Sequence, residues 1–326
     1  MHLKKLPYKQ QIAFLLGGVA LLTYMVFSFL PLHSAKTEAV MADSDHEAVQ
    51  VYLFDKDDTL VPVTFKMDPS STVEERLQMM MDYMDGTNRA EGFYPVFTGE
   101  CNLLNVEIAD GTATLQFDDG FSQYDEKKEL RVLEAIVWGA TQFPEIERVN
   151  LKMNEELLTK MPLGNTPIKE NMTKAMGINH FETATVSLYN SSEITVYYVK
   201  EIDGREFYVP KSKRIASGDP TTEDIVREMV ADISASSGLH QPLYHDNIDV
   251  YDLPRDKGVL SVSVNSNILG DDSSVNAQTY DTLVLSLSTI LGVDQIQVKV
   301  DDVVVSLHGS NEDIMQVSSL VYNEID

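Results

Sequence analysis

The chain has 326 residues, 43% of them hydrophobic, which is ordinary for globular protein and leaves room for more than one buried core. Its 25 lysines and arginines stand against 51 aspartates and glutamates, a formal charge of −26, and such a surface repels nucleic acid phosphates and anionic headgroups. The lone cysteine, Cys101, rules out an internal disulfide and lies too far along the chain to be a lipid-attachment site.

Residues 1–11 carry Lys4, Lys5 and Lys9 and no acid. Ile12 to Leu32 then runs without a charge, about 31 Å as a helix, enough to cross a bilayer core. It is longer than the apolar region of a cleavable signal. The small residues around Val40-Met41-Ala42 lie well past its end. The expectation is therefore an uncleaved transmembrane anchor over 12–32, with a cytoplasmic tail over 1–11 and everything beyond it outside the cell membrane. Residues 33–48 are polar and read as a tether.

A first domain is expected over 49–163. Val49 to Phe54 and Leu60 to Val63 flank the polar turn Asp55–Thr59 and predict a hairpin. Pro62 offers no backbone donor and marks the second arm as an edge. Thr72-Val73-Glu74-Glu75 has the pattern of a capping box, and Val73, Leu77, Met80, Met81 and Met84 form the buried stripe of a helix. Met79, Met80, Met81 and Met84 could also make an adaptable binding face, but their spacing is that of core. Asn102–Ile108 and the strand opened by Gly111 form a second hairpin, turning at Ala109-Asp110-Gly111. A long helix over about 126–143 and a strand over about 148–153 complete the unit. Residues 164–185 read as a linker.

The second domain, over 186–326, repeats the first. A constant shift of 147 takes Leu115 to Val262, Phe117 to Val264, Leu133 to Tyr280, Ile136 to Leu283, Val149 to Ile296 and Leu151 to Val298. Apolar character survives while polar residues differ, as in two copies of one buried scaffold. Two copies at so long a period are two domains and not a solenoid. Ile136, Phe143, Leu283 and Ile290 are expected to be buried. In the second copy Ile194–Val199 and Phe207–Pro210 form the opening hairpin about Asp203-Gly204, and a helix follows Asp219-Pro220-Thr221-Thr222.

The opening Val-x-Leu-Phe strand, the helix after Pro69-Ser70-Ser71-Thr72, the strand Leu103-Leu104-Asn105-Val106 and the run Asp110-Gly111-Thr112-Ala113-Thr114-Leu115-Gln116-Phe117 resemble the GerM domain, named for spore germination. Glu134-Ala135-Ile136-Val137 and Thr141 to Val149 resemble that family's helix and final strand. The second copy departs in having Leu291-Gly292 where the first has Phe143-Pro144. The resemblance implies an α/β (α+β) fold of the ring-building-motif type, each domain a three- to five-stranded sheet with two helices. It also implies extracytoplasmic, membrane-associated proteins of Gram-positive bacteria whose tandem modules position other envelope or sporulation proteins.

No catalytic, cofactor-binding or metal residue is singled out. Asp55, Asp57 and Asp58 start like a calcium loop but lack its glycine and its closing glutamate, and read as a solvated turn. His240, His245 and Asp246 could ligate a metal but sit in an irregular loop without a further ligand at a recognised spacing. The pairs Asp118-Asp119, Asp271-Asp272 and Asp301-Asp302 fall in turns. Cys101 has no basic neighbour in sequence and reads as inert, and Trp138 as core. Tyr197, Tyr198, Phe207 and Tyr208 place aromatic rings on both faces of a hairpin, so half should face outward and could meet a protein. The expected role is a non-enzymatic, membrane-anchored scaffold. The alternatives are a binder of small molecules or wall glycans, favoured by an aromatic cleft between the domains, and a cell-wall enzyme, which needs convergent acids in a deep cleft.

Overall fold

The structure, a computed structural model, describes residues 40–41, 47–180, 191–215, 218–233, 238–270, 274–305, 307 and 314–325. The apolar stretch Ile12–Leu32 lies outside them. Among the described helices none is long and apolar enough to cross a membrane.

After the short strand β1 (Val40–Met41), the hairpin β2 (Glu47–Phe54) and β3 (Leu60–Met67) pairs antiparallel along its whole length. Its turn is not the solvated one expected: Asp55 is buried, and its Oδ1 accepts from Asp57 N at 2.8 Å and Thr59 N at 2.9 Å. Helix α1 (Val73–Met84) starts at the capping box, Thr72 Oγ1 accepting from Glu75 N while Glu75 reaches back to Thr72 N. Leu77, Met80, Met81 and Met84 are fully buried, so the methionine stripe is core. Strands β4 (Leu103–Ala109) and β5 (Thr112–Phe117) turn through Asp110 and Gly111, both at positive φ, a two-residue turn whose twist suits the hairpin. Helix α2 (Glu129–Ala140) then leads to β6 (Arg148–Met153), parallel to β5, and β7 (Glu156–Leu157) closes the sheet in the order β4-β5-β6-β7.

The second copy opens with β8 (Ser192–Ile202) and β9 (Arg205–Ile215), turning at Asp203-Gly204, and α3 (Thr222–Met229) begins at a Thr221/Asp224 capping box. Strand β10 (Leu239–His240) joins β8, and α4 (Pro242–His245) follows. Then come β11 (Val250–Asp252), β12 (Arg255–Asp256), β13 (Val259–Val264), α5 (Ala277–Leu291), β14 (Gln295–Val300), β15 (Val303–Val305), β16 (Met315–Gln316) and β17 (Leu320–Val321), the last pairing with β1. β5 and β6 pair from Thr112↔Arg148 to Phe117↔Met153, and adding 147 to every partner reproduces the β13–β14 register from Val259↔Gln295 to Val264↔Val300. Lys257 and Gly258, both at positive φ, repeat the turn of Asp110 and Gly111.

The opening hairpins do not belong to these sheets: β2-β3 is a two-stranded sheet of its own, and β8-β9 with β10 a three-stranded one. Ile136, Phe143 and Leu283 are buried, but Ile290 is only half-buried. The helices explain the difference. α2 stops at Ala140, ahead of Pro144, and Phe143 folds back into the core. α5 runs on to Leu291, where Gly292 caps it in the left-handed conformation, and this carries Ile290 to the wall of an open cavity. Trp138 is core, its Nε1 donating to Gly177 O at 2.9 Å.

Candidate functional site

The second arms of the opening hairpins, β3 and β9, lie edge to edge where the two domains meet. Each carries a proline, Pro62 or Pro210, with no N–H to give to a ladder. Two buried asparagines fill the space instead. Asn179 donates from Nδ2 to Leu60 O (2.7 Å) and Pro210 O (3.0 Å) and accepts from Leu60 N at 2.9 Å. Asn323 donates from Nδ2 to Tyr208 O (2.7 Å) and Pro62 O (2.7 Å) and accepts from Tyr208 N at 2.7 Å. Leu60 and Pro62 occupy in β3 the places of Tyr208 and Pro210 in β9, so the two asparagines exchange roles as across a two-fold axis. Both sit at positive φ, 49° and 57°, where asparagine is among the few side chains tolerated.

The segment trailing each domain thus binds the hairpin of the other. Ile178 exchanges hydrogen bonds with Ser212 on β9, and Thr64 on β3 donates to Tyr322 O and Asn323 O. Between them Tyr197 and Tyr322 meet hydroxyl to hydroxyl at 3.1 Å.

Ion pairs flank this seam. Lys200 on β8 is buried against Asp55 and also reaches Asp57 at 3.0 Å, both in the first hairpin's turn. The hydrogen bond and charge of Lys200 hold the Asp57 carboxyl below its usual range. On the other flank His180 sits between two carboxylates, Nδ1 3.0 Å from Glu134 Oε1 and Nε2 2.7 Å from Glu193 Oε1. Glu134 is fully buried on α2 and also accepts from Arg131 and Asn179 N, while Glu193 belongs to β8. Bonds to Glu134 and then Glu193 raise His180 to about 9.

Two open cavities of about 570 and 740 Å³ adjoin the seam and share Lys174, Ser288, Thr289 and Asp294. A third, of about 670 Å³, lies in the loop after α1, walled by Leu53, Tyr83, Phe93, Tyr94 and Phe97 with Arg89 beside them.

A family model described as "Germane: Sporulation and spore germination" matches residues 50–159. The spore germination protein GerM of Bacillus subtilis (strain 168) is 30% identical over 285 residues, 82% of this chain and 76% of that protein. The chain belongs to the GerM family. The solved tandem GerMN domains of the sporulation protein GerM from B. subtilis superpose with a TM-score of 0.69 at 27% identity, covering 78% of this chain and 91% of that one. Mixed α/β domains in tandem are therefore the fold.

Within this GerM fold the residues weighed from sequence fall as follows. Asp55 and Asp57 pair with Lys200, and Asp58 with Lys128. The rings of His240 and His245 stack with centroids 4.4 Å apart, but Asp246 turns to the start of α5, accepting from Thr279 Oγ1 and from Asn276 Nδ2. Among the described residues no three His, Cys, Asp or Glu converge to hold a metal ion. Asp118 accepts from Asn102 and Gly120, Asp119 accepts from Asn154, and Asp301 and Asp302 form a positive-φ turn. Asp271 and Asp272 lie outside the described residues. Burial, with Asp118 and Asp85 nearby, pushes the Cys101 thiol far up.

The expected outward aromatic face is corrected: Tyr197, Tyr198, Phe207 and Tyr208 are all buried. The GerM hairpin β8-β9 is covered on both sides, by its own α5 and by the first domain's core, where Phe207 meets Phe93 edge to face at 5.1 Å. Sequence reading missed Asn179, Asn323, His180 and Lys200. They are single polar residues in segments without periodicity, and the available signal was the prolines recurring at matching hairpin positions.

Proposed function

We propose that this GerM-family protein is an extracytoplasmic scaffold of the cell envelope. In this reading Ile12–Leu32 anchors it in the membrane and the tandem domains hold other envelope or sporulation proteins in place. The observation that carries the reading is the seam. The buried groups Lys200, Asp55, Glu134, Asn179 and Asn323, with the half-buried His180, join one domain to the other and do not converge on a cavity. A rigid two-module body is what a positioning element needs, since two docking surfaces on one chain raise apparent affinity without new contacts. The names of the relatives, sporulation and spore germination, support the setting. Activity then resides in surfaces, with no enzymatic step.

A second reading has one observation in its favour. The cavity of about 670 Å³ with aromatic walls is of ligand size, and it would suit a small molecule or wall glycan.

The anchor is tested by adding protease to intact protoplasts. The scaffold reading expects digestion of everything beyond the tether, and protection of the large fragment contradicts it. The role is tested by deleting each module in the native host and following retention of the partner. Loss of retention supports scaffolding. A variant such as His245→Ala that folds and is exported yet is null points to a site instead.

A further inference from the structure

Among the described residues β4 in the first domain and β11 in the second lie at one rim of their large sheets without an outer neighbour, as β7 and β15 do at the opposite rims. Both carry a bulge at the same place. Opposite β5, Leu103 pairs with Phe117 and Asn105 with Gln116, so Leu104 is the extra residue. Opposite β13, Val250 pairs with Val264 and Asp252 with Ser263, so Tyr251 is the extra residue. The shift of 147 superimposes these two bulges.

Each bulge aims a large apolar side chain into solvent. Leu104 is 54% exposed and Tyr251 68%. Among the described residues they are the one pair of exposed large apolar side chains that the repeat shift superimposes. An apolar group that merely strayed to the surface has no reason to recur at the bulge of both copies. A bulge is a device for re-aiming a side chain at an edge. β4 has neither proline nor lysine along Leu103–Ala109, so nothing positive on the strand repels a basic segment.

The chemistry beside the two side chains is acidic. A shallow groove of about 250 Å³ runs between α1 and β4, lined by Glu74, Gln78 and the strand from Leu103 to Val106. Glu107 is exposed on the same strand, and Asp249 and Asp252 flank Tyr251. Glu74, Glu107, Asp249 and Asp252 form no ion pair among the described residues, on a chain with net charge −26.

We infer that β4 and β11 are docking edges for an extended, basic segment of a partner protein. The segment adds as an outer strand, packs an apolar side chain on Leu104 or Tyr251, and sets lysine or arginine against the adjoining carboxylates. Backbone pairing supplies affinity, and the apolar knob with its acidic flanks supplies selection. This rests on the scaffold reading and names its surface and the partner's chemistry.

The test uses the full chain in detergent micelles and a fluorescein-labelled peptide alternating lysine and valine. Titration by fluorescence anisotropy compares the wild type with Leu104→Ser, Tyr251→Ser, the two combined and, on the opposite rim, Leu157→Ser. Hydrogen exchange read by mass spectrometry locates the peptide. The inference expects slowed exchange in 103–109 and 250–252. It also expects affinity to fall about fivefold when both knobs are removed, the ratio a lost cross-strand apolar contact yields, and to stay unchanged for Leu157→Ser. Equal affinity for all variants, protection elsewhere, or no binding overturns it. So does self-association through β4 in sedimentation, which makes a second copy the occupant. None of these results touches the scaffold reading, which stands or falls on the module deletions.

Discussion

Two kinds of strand edge in this molecule have opposite fates. The inner edges, β3 and β9, each hold a proline and are buried, their carbonyls taken up by Asn179 and Asn323. The outer edges, β4 and β11, hold no proline, bulge at Leu104 and Tyr251, and face solvent. Duplication produced both kinds in pairs. A proline keeps two facing edges from zipping into one sheet, and an asparagine amide, with two donors and an acceptor, then satisfies three backbone groups at once. An edge left open carries no such repair. The difference separates edges that hold the domains together from edges available to others.

Substitutions should separate the two classes sharply. The largest effect is expected at the seam's buried charge. Lys200→Met leaves Asp55 buried without its cation and should cost about 3–5 kcal/mol in chemical denaturation. A loss no greater than that of an exposed lysine would mean that Asp55 is solvated. Next come Asn179→Ala and Asn323→Ala, each stripping partners from three buried backbone groups. About 2–3 kcal/mol is expected for each, and nearly the same for both, because their bonds are related by the two-fold exchange. Markedly unequal values would break the symmetry of the comparison.

The His180 clamp gives a dependence on pH. Its folded pKa, about 9, lies above that of an unfolded histidine, so its contribution is fully present below about 6.5 and is lost as pH rises through 9. Unfolding midpoints should therefore fall between pH 6.5 and 9.5, and more steeply in the wild type than in His180→Gln. Parallel curves would show that the imidazolium does not hold the two glutamates together. The smallest effect belongs to the outer edges: Leu104→Ser and Tyr251→Ser should change stability by less than about 0.5 kcal/mol. A large loss at either would place it among the structural edges.

The scaffold itself was legible because it is apolar and periodic. Leu115, Ile136 and Leu151, with their counterparts Val262, Leu283 and Val298, mark strands and helix by spacing and are buried as that spacing requires. Capping at Thr72 and the turn at Asp110-Gly111 were equally readable, since local chemistry decides them. The seam was not. Asn179 follows a stretch without pattern, and its three partners lie 119 and 31 residues away, beyond any local rule. Half of the aromatics of β8-β9 are expected outside because a lone hairpin has a wet face, yet the second domain's own core takes in Tyr197 and Tyr208 while the first domain covers Phe207 at Phe93. Asp55 was read as wet for the same reason, its cation Lys200 lying in the other copy.

This seam is expected to make the two duplicated domains one body. Differential scanning calorimetry of the full chain, wild type against the Asn179→Ala, Asn323→Ala double variant, tests it most directly. The wild type should unfold in a single cooperative transition, and the double variant should resolve into two. Two independent transitions in the wild type, or a double variant that still melts as one unit at the same temperature, would contradict it.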